Sequence, residues 1–470
     1  MDVRRSVLAI STASLLCLSA ALSGAASAAT ASGGVKGDPQ PELKPFNIST
    51  ATSAGTAAME ANGDIVVTYD VDNSSKTFVC VLGRGGHKCL HSVTLTPPGG
   101  IGDYDTPLVF APSANHIVVL QATCCDASPD GDDLLYTSAN GGLSYSAPAR
   151  VGGTIDVDSG ALIGSDIVFA EDGGGGAQVE SVPVTASGPP ASTASPITAE
   201  SFAVGVGTYH GGALIASEST TDTTAVAYAP AGDNFNASGS YHSAGSFKHE
   251  DLLGISGGAL LTIQTTGKDH VLLRLFNGTG FGAAHVVPGH GTGGPQAFGI
   301  AQDPSRTVHV FADRAAAYHL VEVSTSNGTR WGPQVNLGNA IANTFFSAAL
   351  DAHGSGLVLG TAGPGRGYPV LASQTVSFSL KSGTIRKGRS TTGSGKASPA
   401  GAGREISLQV EGSGGIWHTI ATTHETASGS FKFTIKGASA GTFHYRAVAS
   451  DRAGYLMFGY SAARSLHVTG

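Results

Sequence analysis

The chain has 470 residues, 67 of them glycine, with a net charge of −8 and only 13% charged residues. That length exceeds one ordinary core and calls for two or more domains. The mild acidity, with no basic patch, excludes nucleic acid or an anionic membrane as the main partner, and the shortage of Glu, Lys and Leu excludes long surface helices.

The N-terminus reads as a secretory signal. Arg4 and Arg5 form the positive start, Ser6 to Leu22 the apolar stretch, and Ala26-Ser27-Ala28 the small-residue cleavage site. Residues 1–28 are therefore expected to be removed and the mature chain to be secreted, with 29–44 a linker. Cys17 follows Leu16, where a lipoprotein signal would want a small residue. No second apolar run of about 20 residues occurs further along, so no membrane span is expected.

Residues 45–373 carry a repeat. A turn followed by an apolar run recurs as Asn62-Gly63-Asp64-Ile65-Val66-Val67, Ala114-Asn115-His116-Ile117-Val118-Val119 and Gly164-Ser165-Asp166-Ile167-Val168-Phe169. It continues as His210-Gly211-Gly212-Ala213-Leu214-Ile215, Ser256-Gly257-Gly258-Ala259-Leu260-Leu261, Ser305-Arg306-Thr307-Val308-His309-Val310 and Gly354-Ser355-Gly356-Leu357-Val358-Leu359. The spacing of about 45–52 residues is that of a four-stranded propeller blade. Asn-Gly turns before an aromatic recur later in several units, as at Asn140-Gly141 and Asn327-Gly328. The expected fold is thus an all-β propeller of seven blades, or six if one turn match is accidental. The last unit has three strands, Phe346–Leu350, Leu357–Thr361 and Pro369–Ser373. Its fourth is expected from Pro45–Thr50, a closure that hides the open edges of the ring.

Four cysteines remain after signal removal. Cys80 and Cys89 flank a hairpin-like segment and are expected to pair, leaving Cys124 with Cys125. A zinc site using His87 or His91 is the alternative, but the spacing lacks paired C-x-x-C ligands.

From 374 to 470 the period is lost. The stretch 382–404 is rich in Gly, Ser, Thr, Lys and Arg, and strand-like runs come after it at 406–410, 416–420, 431–435 and 443–448. With 376–380 and 465–468 these make six or seven strands, the size of an immunoglobulin-like or fibronectin-type β-sandwich. Trp417 is expected to anchor its core, with Tyr445 alongside.

Ser138-Ala139-Asn140-Gly141-Gly142-Leu143-Ser144-Tyr145 resembles the Asp-box of sialidase-like propellers, S-x-D-x-G-x-[ST]-[WFY], with Asn140 in place of Asp. The box is a brace: Ser138, Asn140 and Ser144 hold a turn, Gly142 takes positive φ and Tyr145 packs beneath. The resemblance implies a secreted bacterial propeller with a C-terminal immunoglobulin-like domain. In active members it also implies exo-glycoside hydrolysis by three arginines, a Tyr–Glu pair and an acidic group. The Arg-Ile-Pro segment of that family is absent, and none of Arg84, Arg150, Arg274, Arg306, Arg314, Arg330 or Arg366 starts an innermost strand, so no catalytic residue is carried over.

Ligands of propellers usually sit in the loops that lead into the innermost strands. Those loops hold Asp103, Tyr104 and Asp105, then Asp156 and Asp158, then His249, Glu250 and Asp251, which are candidate binding residues. Asp126, Asp130, Asp132 and Asp133 surround a glycine turn and could wrap calcium with oxygen ligands. The sequence thus points to a monomeric extracellular module that binds a glycan or a protein, with a sialidase-like exo-glycoside hydrolase as the alternative. A lyase or hydrolase using the acidic loops is a third.

Overall fold

The computed structural model describes residues 45–470 except 53–54, 71–75, 99–105, 122–132, 152–156, 174–175, 186–190, 194–200, 220–222, 231–241, 265–269, 290–297, 315–318, 340–345, 361–363, 373, 413–414 and 451–455. The expected signal peptide (1–28) and linker (29–44) fall outside the described residues. The chain divides into Met1–Pro39 and Gln40–Gly470, and every described residue belongs to the second unit.

Between Phe46 and Val370 the chain forms five four-stranded antiparallel sheets and one eight-stranded sheet. Sheet I comprises Ala57–Met59, Ile65–Asp70, Thr77–Leu82 and Cys89–Leu95. Sheet II comprises Leu108–Ser113, His116–Gln121, Leu134–Ser138 and Ala149–Arg150, and sheet III Val157–Ile163, Asp166–Gly173, Gly176–Pro183 and Ala191–Thr193. The eight-stranded sheet is two halves joined by a single parallel pair, Thr223 with Glu250. Half IV comprises Ser201–Tyr209, Gly212–Ser219, Thr223–Ala229 and His242–Lys248; half V comprises Glu250–Ser256, Ala259–Gln264, His270–Leu275 and His285–Val286. Sheet VI comprises Phe298–Gln302, Val308–Arg314, His319–Thr325 and Val335–Asn339. Sheet VII comprises Phe346–Leu350, Gly356–Gly360, Pro364–Val370 and, from the other end of the chain, Phe46–Thr52. That last strand pairs antiparallel with Pro364–Val370, Phe46 opposite Gly367, and so covers the edge where the expected closure placed it. The third strand of sheet VII begins at Pro364 rather than Pro369, because the hairpin register sets Leu359 opposite Gly367.

The repeated apolar run is the second strand of every sheet. Its residues are buried on both faces, and alternation sends neighbours to opposite sides. Ile65 and Val67 pack toward sheet VII while Val66 packs toward sheet II; Ile117 and Val119 face sheet I while Val118 and Leu120 face sheet III. Each pair of successive sheets shares one apolar cluster, and the Ile65–Leu359 cluster joins sheet VII back to sheet I. Burying one such Val, Leu or Ile contributes about 1.5–3 kcal/mol. The first strands of successive sheets lie against one another around the ring, and the last, Phe346–Leu350, meets the first, Ala57–Met59. The result is a β-propeller-like ring of sheets around a central channel. Cys80 and Cys89 form a disulfide within sheet I, where the two outer strands run side by side.

Residues 374–470 form two further sheets. One holds Thr375–Leu380, Ser390–Ser398 and Ser430–Lys436; the other Thr384–Arg386, Arg464–Thr469, Gly441–Ala449, Glu405–Glu411 and Trp417–His424, with Gly459–Tyr460 paired to Gly441–Ala449. They enclose a core of Phe378, Phe431, Phe433, Tyr445, Ile406 and Leu466. Two of these strands lie in the polar stretch 382–404. In the longer one the alternation is carried by Thr391, Gly393 and Ala397 facing inward, residues too small to give a hydrophobic signal. Trp417 is not the core anchor. It lies on an edge strand, half-buried, with the Arg446 guanidinium 4.3 Å from its ring centre and 4.7 Å from that of Tyr460. There the indole packs on the cation. Tyr445 does join the core, as expected. Among the described residues no helix is long and apolar enough to cross a membrane.

Candidate functional site

The channel holds a cavity of about 1020 Å³ to which the first strand of every sheet contributes. Its wall is made of small and aliphatic residues, among them Ser159, Gly160, Gly205, Gly254, Ile300 and Ala348. Small residues are needed because the strands converge here. A Cβ on Gly207 would stand 2.6 Å from the Gly257 carbonyl oxygen of the next sheet. Hydroxyls stitch the wall together. Thr56 Oγ1 accepts the Val109 amide at 2.9 Å, Ser159 Oγ that of Val206 at 3.1 Å, Ser256 Oγ that of Gln302 at 3.0 Å and Ser347 Oγ that of Ala57 at 3.1 Å. Each of these bonds runs from one sheet to its neighbour, so the wall is held rigid around the opening.

Polar side chains gather at the mouth formed by the turns between first and second strands. In sheet IV the turn carries His210, in V Gly257 and Gly258, in VI Gln302 to Arg306. The Arg306 guanidinium donates to His210 Nδ1 at 3.1 Å and stands 5.9 Å from the centre of the Tyr209 ring. Gln302 Oε1 accepts the Gly258 amide at 2.9 Å while its Nε2 donates to the Arg306 carbonyl at 3.3 Å. Gln302 thereby ties the turns of V and VI to one another, and Arg306 ties that of VI to IV.

Beneath the Arg306 turn lies a buried charged group. Asp303 Oδ1 accepts the Ser305 hydroxyl and the Thr307 amide, both at 2.8 Å, which fixes the turn. His309 donates from Nδ1 to Glu322 at 2.7 Å and from Nε2 toward Asp303 at 3.5 Å. Burial alone would lower the His309 pKa, but hydrogen bonds to Asp303 and Glu322 and their charges outweigh it and raise the imidazole to about 9. For Asp303 burial acts the other way, upward, and the bonds from His309, Ser305 and Thr307 carry the net shift below the usual value.

The residues expected from sequence fall differently. Asp103, Tyr104, Asp105, Asp156, Cys124, Cys125, Asp126, Asp130 and Asp132 lie outside the described residues, and Asp158 is described only as backbone in the first strand of sheet III. His249 is exposed, with φ of 59°, just before half V. Glu250 is buried and accepts from Arg274 at 2.7 Å and Thr262 at 2.8 Å, and Arg274 in turn covers Phe247. Half V reaches the channel wall from Leu252 onward, past Glu250 and Asp251. Asp133 is fully buried at the start of its strand. Among the described residues no cluster of His, Cys, Asp or Glu is placed to hold a metal ion.

At the turn after Leu134–Ser138, Ser138 Oγ accepts the Gly142 amide at 2.9 Å and Asn140 Oδ1 that of Ser144 at 3.1 Å, with Gly142 at φ 82°. Tyr145 packs against the cluster between sheets I and II, and burial pushes its hydroxyl well above the usual range. The turn therefore works as a local brace, away from the cavity.

The mouth residues do carry a signal in the sequence, though not one of loop carboxylates. Aligned repeats place Gly63, Asn115, Gly164 and Gly354 at left-handed positions, the residues that tolerate them. His210 (φ 50°) and Arg306 (φ 68°) occupy the same kind of position with large polar side chains.

No protein-family model matches the sequence, and no curated protein matches it. Among solved structures the chain is similar to hydrazine synthase from Kuenenia stuttgartiensis, at 10% identity and a TM-score of 0.44 over 67% of this chain and 94% of that one. It is similar to Aleuria aurantia lectin in complex with α-methyl-L-fucoside, at 11% identity and a TM-score of 0.36 over 82% and 98%. It is also similar to an exo-β-1,3-galactanase from Phanerochaete chrysosporium with β-1,3-galactotriose, at 12% identity and a TM-score of 0.28 over 88% and 100%. These are β-propeller-like proteins, and the likeness concerns the fold alone.

Proposed function

We propose that this chain is a secreted, monomeric, seven-bladed propeller that binds a glycan at its channel without cleaving it. In this reading the signal peptide occupies 1–28, halves IV and V count as two blades, the Ser138–Tyr145 turn is a degenerate Asp-box and 374–470 is an immunoglobulin-like accessory module. One observation carries the choice of binding over hydrolysis. Among the described residues of the cavity wall the only carboxylate is Asp303, and its oxygens serve the turn and His309. Glycoside hydrolysis ordinarily uses two carboxylates about 5–9.5 Å apart across the scissile bond. The glycan is favoured over a protein by the makeup of the mouth: planar polar groups, Gln302, His210 and Arg306, at a concave opening.

The test is a glycan array probed with the secreted chain, run beside fluorogenic glycosides that include a sialoside. Binding without turnover, weakened at least tenfold by Arg306→Gly, which suits the left-handed backbone there, is expected. Turnover of any of these glycosides would establish the hydrolase instead.

A further inference from the structure

We propose that the outer face of the three-stranded sheet in residues 374–470 is a second binding surface, and that its partner is an extended acidic polysaccharide. This goes beyond the channel reading, since the surface shares no residue with the cavity.

The net charge of −8 conceals a division. Residues 374–470 hold 11 Lys and Arg against 4 Asp and Glu, a net of +7, which leaves −15 for residues 1–373. The mild acidity of the whole chain is thus an average of two unlike regions. The basic patch that the net charge argued against does exist.

Alternation places it. In Ser430–Lys436 the side chains of Phe431, Phe433 and Ile435 turn into the core, so Lys432, Thr434 and Lys436 turn outward and are exposed. Ser390–Ser398 exposes Lys396 in the same way, and Thr375–Leu380 exposes Ser377 and Ser379. Register then spaces the lysines. Lys396 lies between Ser377 and Ser430, and Lys432 lies one row along, opposite Ser394. Lys381 donates its amide to the Thr392 carbonyl at 2.8 Å and starts the next row; Lys436, opposite Ser390, belongs to the fourth. Each row across the sheet carries one ammonium group, and the rows are about 6.5–7 Å apart. The turn before Ser390 adds Arg386, Lys387 and Arg389, all exposed.

These charges are not neutralised from within. The three strands contain no Asp or Glu. Glu405 and Glu411 lie in the other sheet, and Glu425 is buried against Arg404. Among the described residues no carboxylate pairs with Lys381, Lys396, Lys432 or Lys436. Like charges crowded on one face repel, and an anionic partner relieves that repulsion.

The rest of the face decides which anion fits. It is flat rather than concave, which suits a polymer lying across it better than a small ligand. It exposes no aromatic ring on which a nucleobase could stack, and no apolar side chain to enter a bilayer. Beside the lysines stand Ser and Thr hydroxyls, which both donate to and accept from sugar hydroxyls. An ammonium is a point charge and takes a carboxylate from many directions, as a repeating chain requires.

The experiment is calorimetric titration of the full chain with polygalacturonate and with its carboxyl-reduced counterpart. The acidic polymer is expected to bind at least about tenfold more tightly, with an affinity that falls as salt rises. Lys396→Ser, Lys432→Ser and Lys436→Ser combined should weaken it by about tenfold or more, with the thermal transitions of the chain unchanged because the three side chains are exposed. The same three positions changed to Arg keep the charge and should keep the binding. If the serine variant binds as the parent does, or if acidic and reduced polymers bind alike, the inference is overturned while the channel reading stands. If Arg306→Gly removes the binding and the serine variant keeps it, the polymer sits at the channel mouth and the inference is equally overturned. Duplex DNA of matched charge and phosphatidylglycerol–phosphatidylcholine vesicles are titrated alongside. Tighter binding of either, lost in the serine variant, would make the face a nucleic-acid or a membrane surface and overturn the polysaccharide assignment.

Discussion

The ring and the C-terminal sheets bury similar side chains by different means. In the ring, apolar clusters are spread over the junctions between successive sheets, and each second strand feeds two of them. In residues 374–470 one cluster serves both sheets. The two regions also differ in where they bury charge. The C-terminal region hides Arg404 against Glu425 at 2.7 Å, both side chains fully buried, with Gln374 accepting from the same guanidinium. The ring keeps its buried His309 group at one junction, under the channel mouth. A shared core concentrates its weak points, whereas a ring distributes them, but a ring also needs every junction to stay closed.

Calorimetry of the full chain separates these cases. The largest effect is expected for Glu425→Ala, which leaves Arg404 charged, buried and unpaired, at a cost of about 3–5 kcal/mol. It should lower a transition belonging to residues 374–470. Next is Leu261→Ala, which opens a void between half V and sheet VI and should cost about 2–5 kcal/mol in the ring transition. If either substitution moves both transitions together, the two regions unfold as one and the comparison breaks. Met457, whose amide donates to the Ala372 carbonyl at 3.1 Å and whose side chain packs on the cluster between sheets VII and I, is where such coupling would run.

A shift in pH should also tell the two regions apart. His309 sits at about 9 in the folded chain against an ordinary value of 6.5. A folded value above the unfolded one means its contribution is complete below about pH 6.5 and is lost as pH rises through about 9. The span corresponds to on the order of 3 kcal/mol. Denaturant titrations between those pH values should show this slope, and His309→Gln should flatten it without touching the C-terminal transition. The smallest effect is expected for Arg84→Ala. Its contact with Asp351, at 3.3 Å across sheets I and VII, is partly exposed and should be worth about 0–1 kcal/mol. A larger loss would mean that ring closure leans on this pair more than on the apolar cluster behind it.

Much of the ring is legible in the sequence because its period is carried by backbone geometry. Turn residues that permit positive φ, followed by runs buried on both faces, mark each second strand whatever the ligand. The closing strand is legible too, since a three-stranded last unit leaves an edge to cover. The two strands at 384–386 and 390–398 are not, because their inward residues include Thr, Gly and Ala. Trp417 misleads because size alone suggests burial, while its strand lies at an edge. The mouth stays hidden in the sequence because loop carboxylates such as Glu250 stand out more, and the fold spends Glu250 on Arg274.

By itself, then, the sequence pointed to an all-β chain with its repeat, to the buried second strand of each sheet and to a pairing of Cys80 with Cys89 over a zinc site. These follow from alternation, turn chemistry and short spacing, which are local. Only the tertiary structure decided which polar residues converge. His210 and Arg306 lie 96 residues apart, and they meet because ring closure brings the turns of sheets IV and VI over a bare glycine turn. No local pattern encodes that distance, since it depends on how many sheets lie between them and on how closely the first strands pack around the channel.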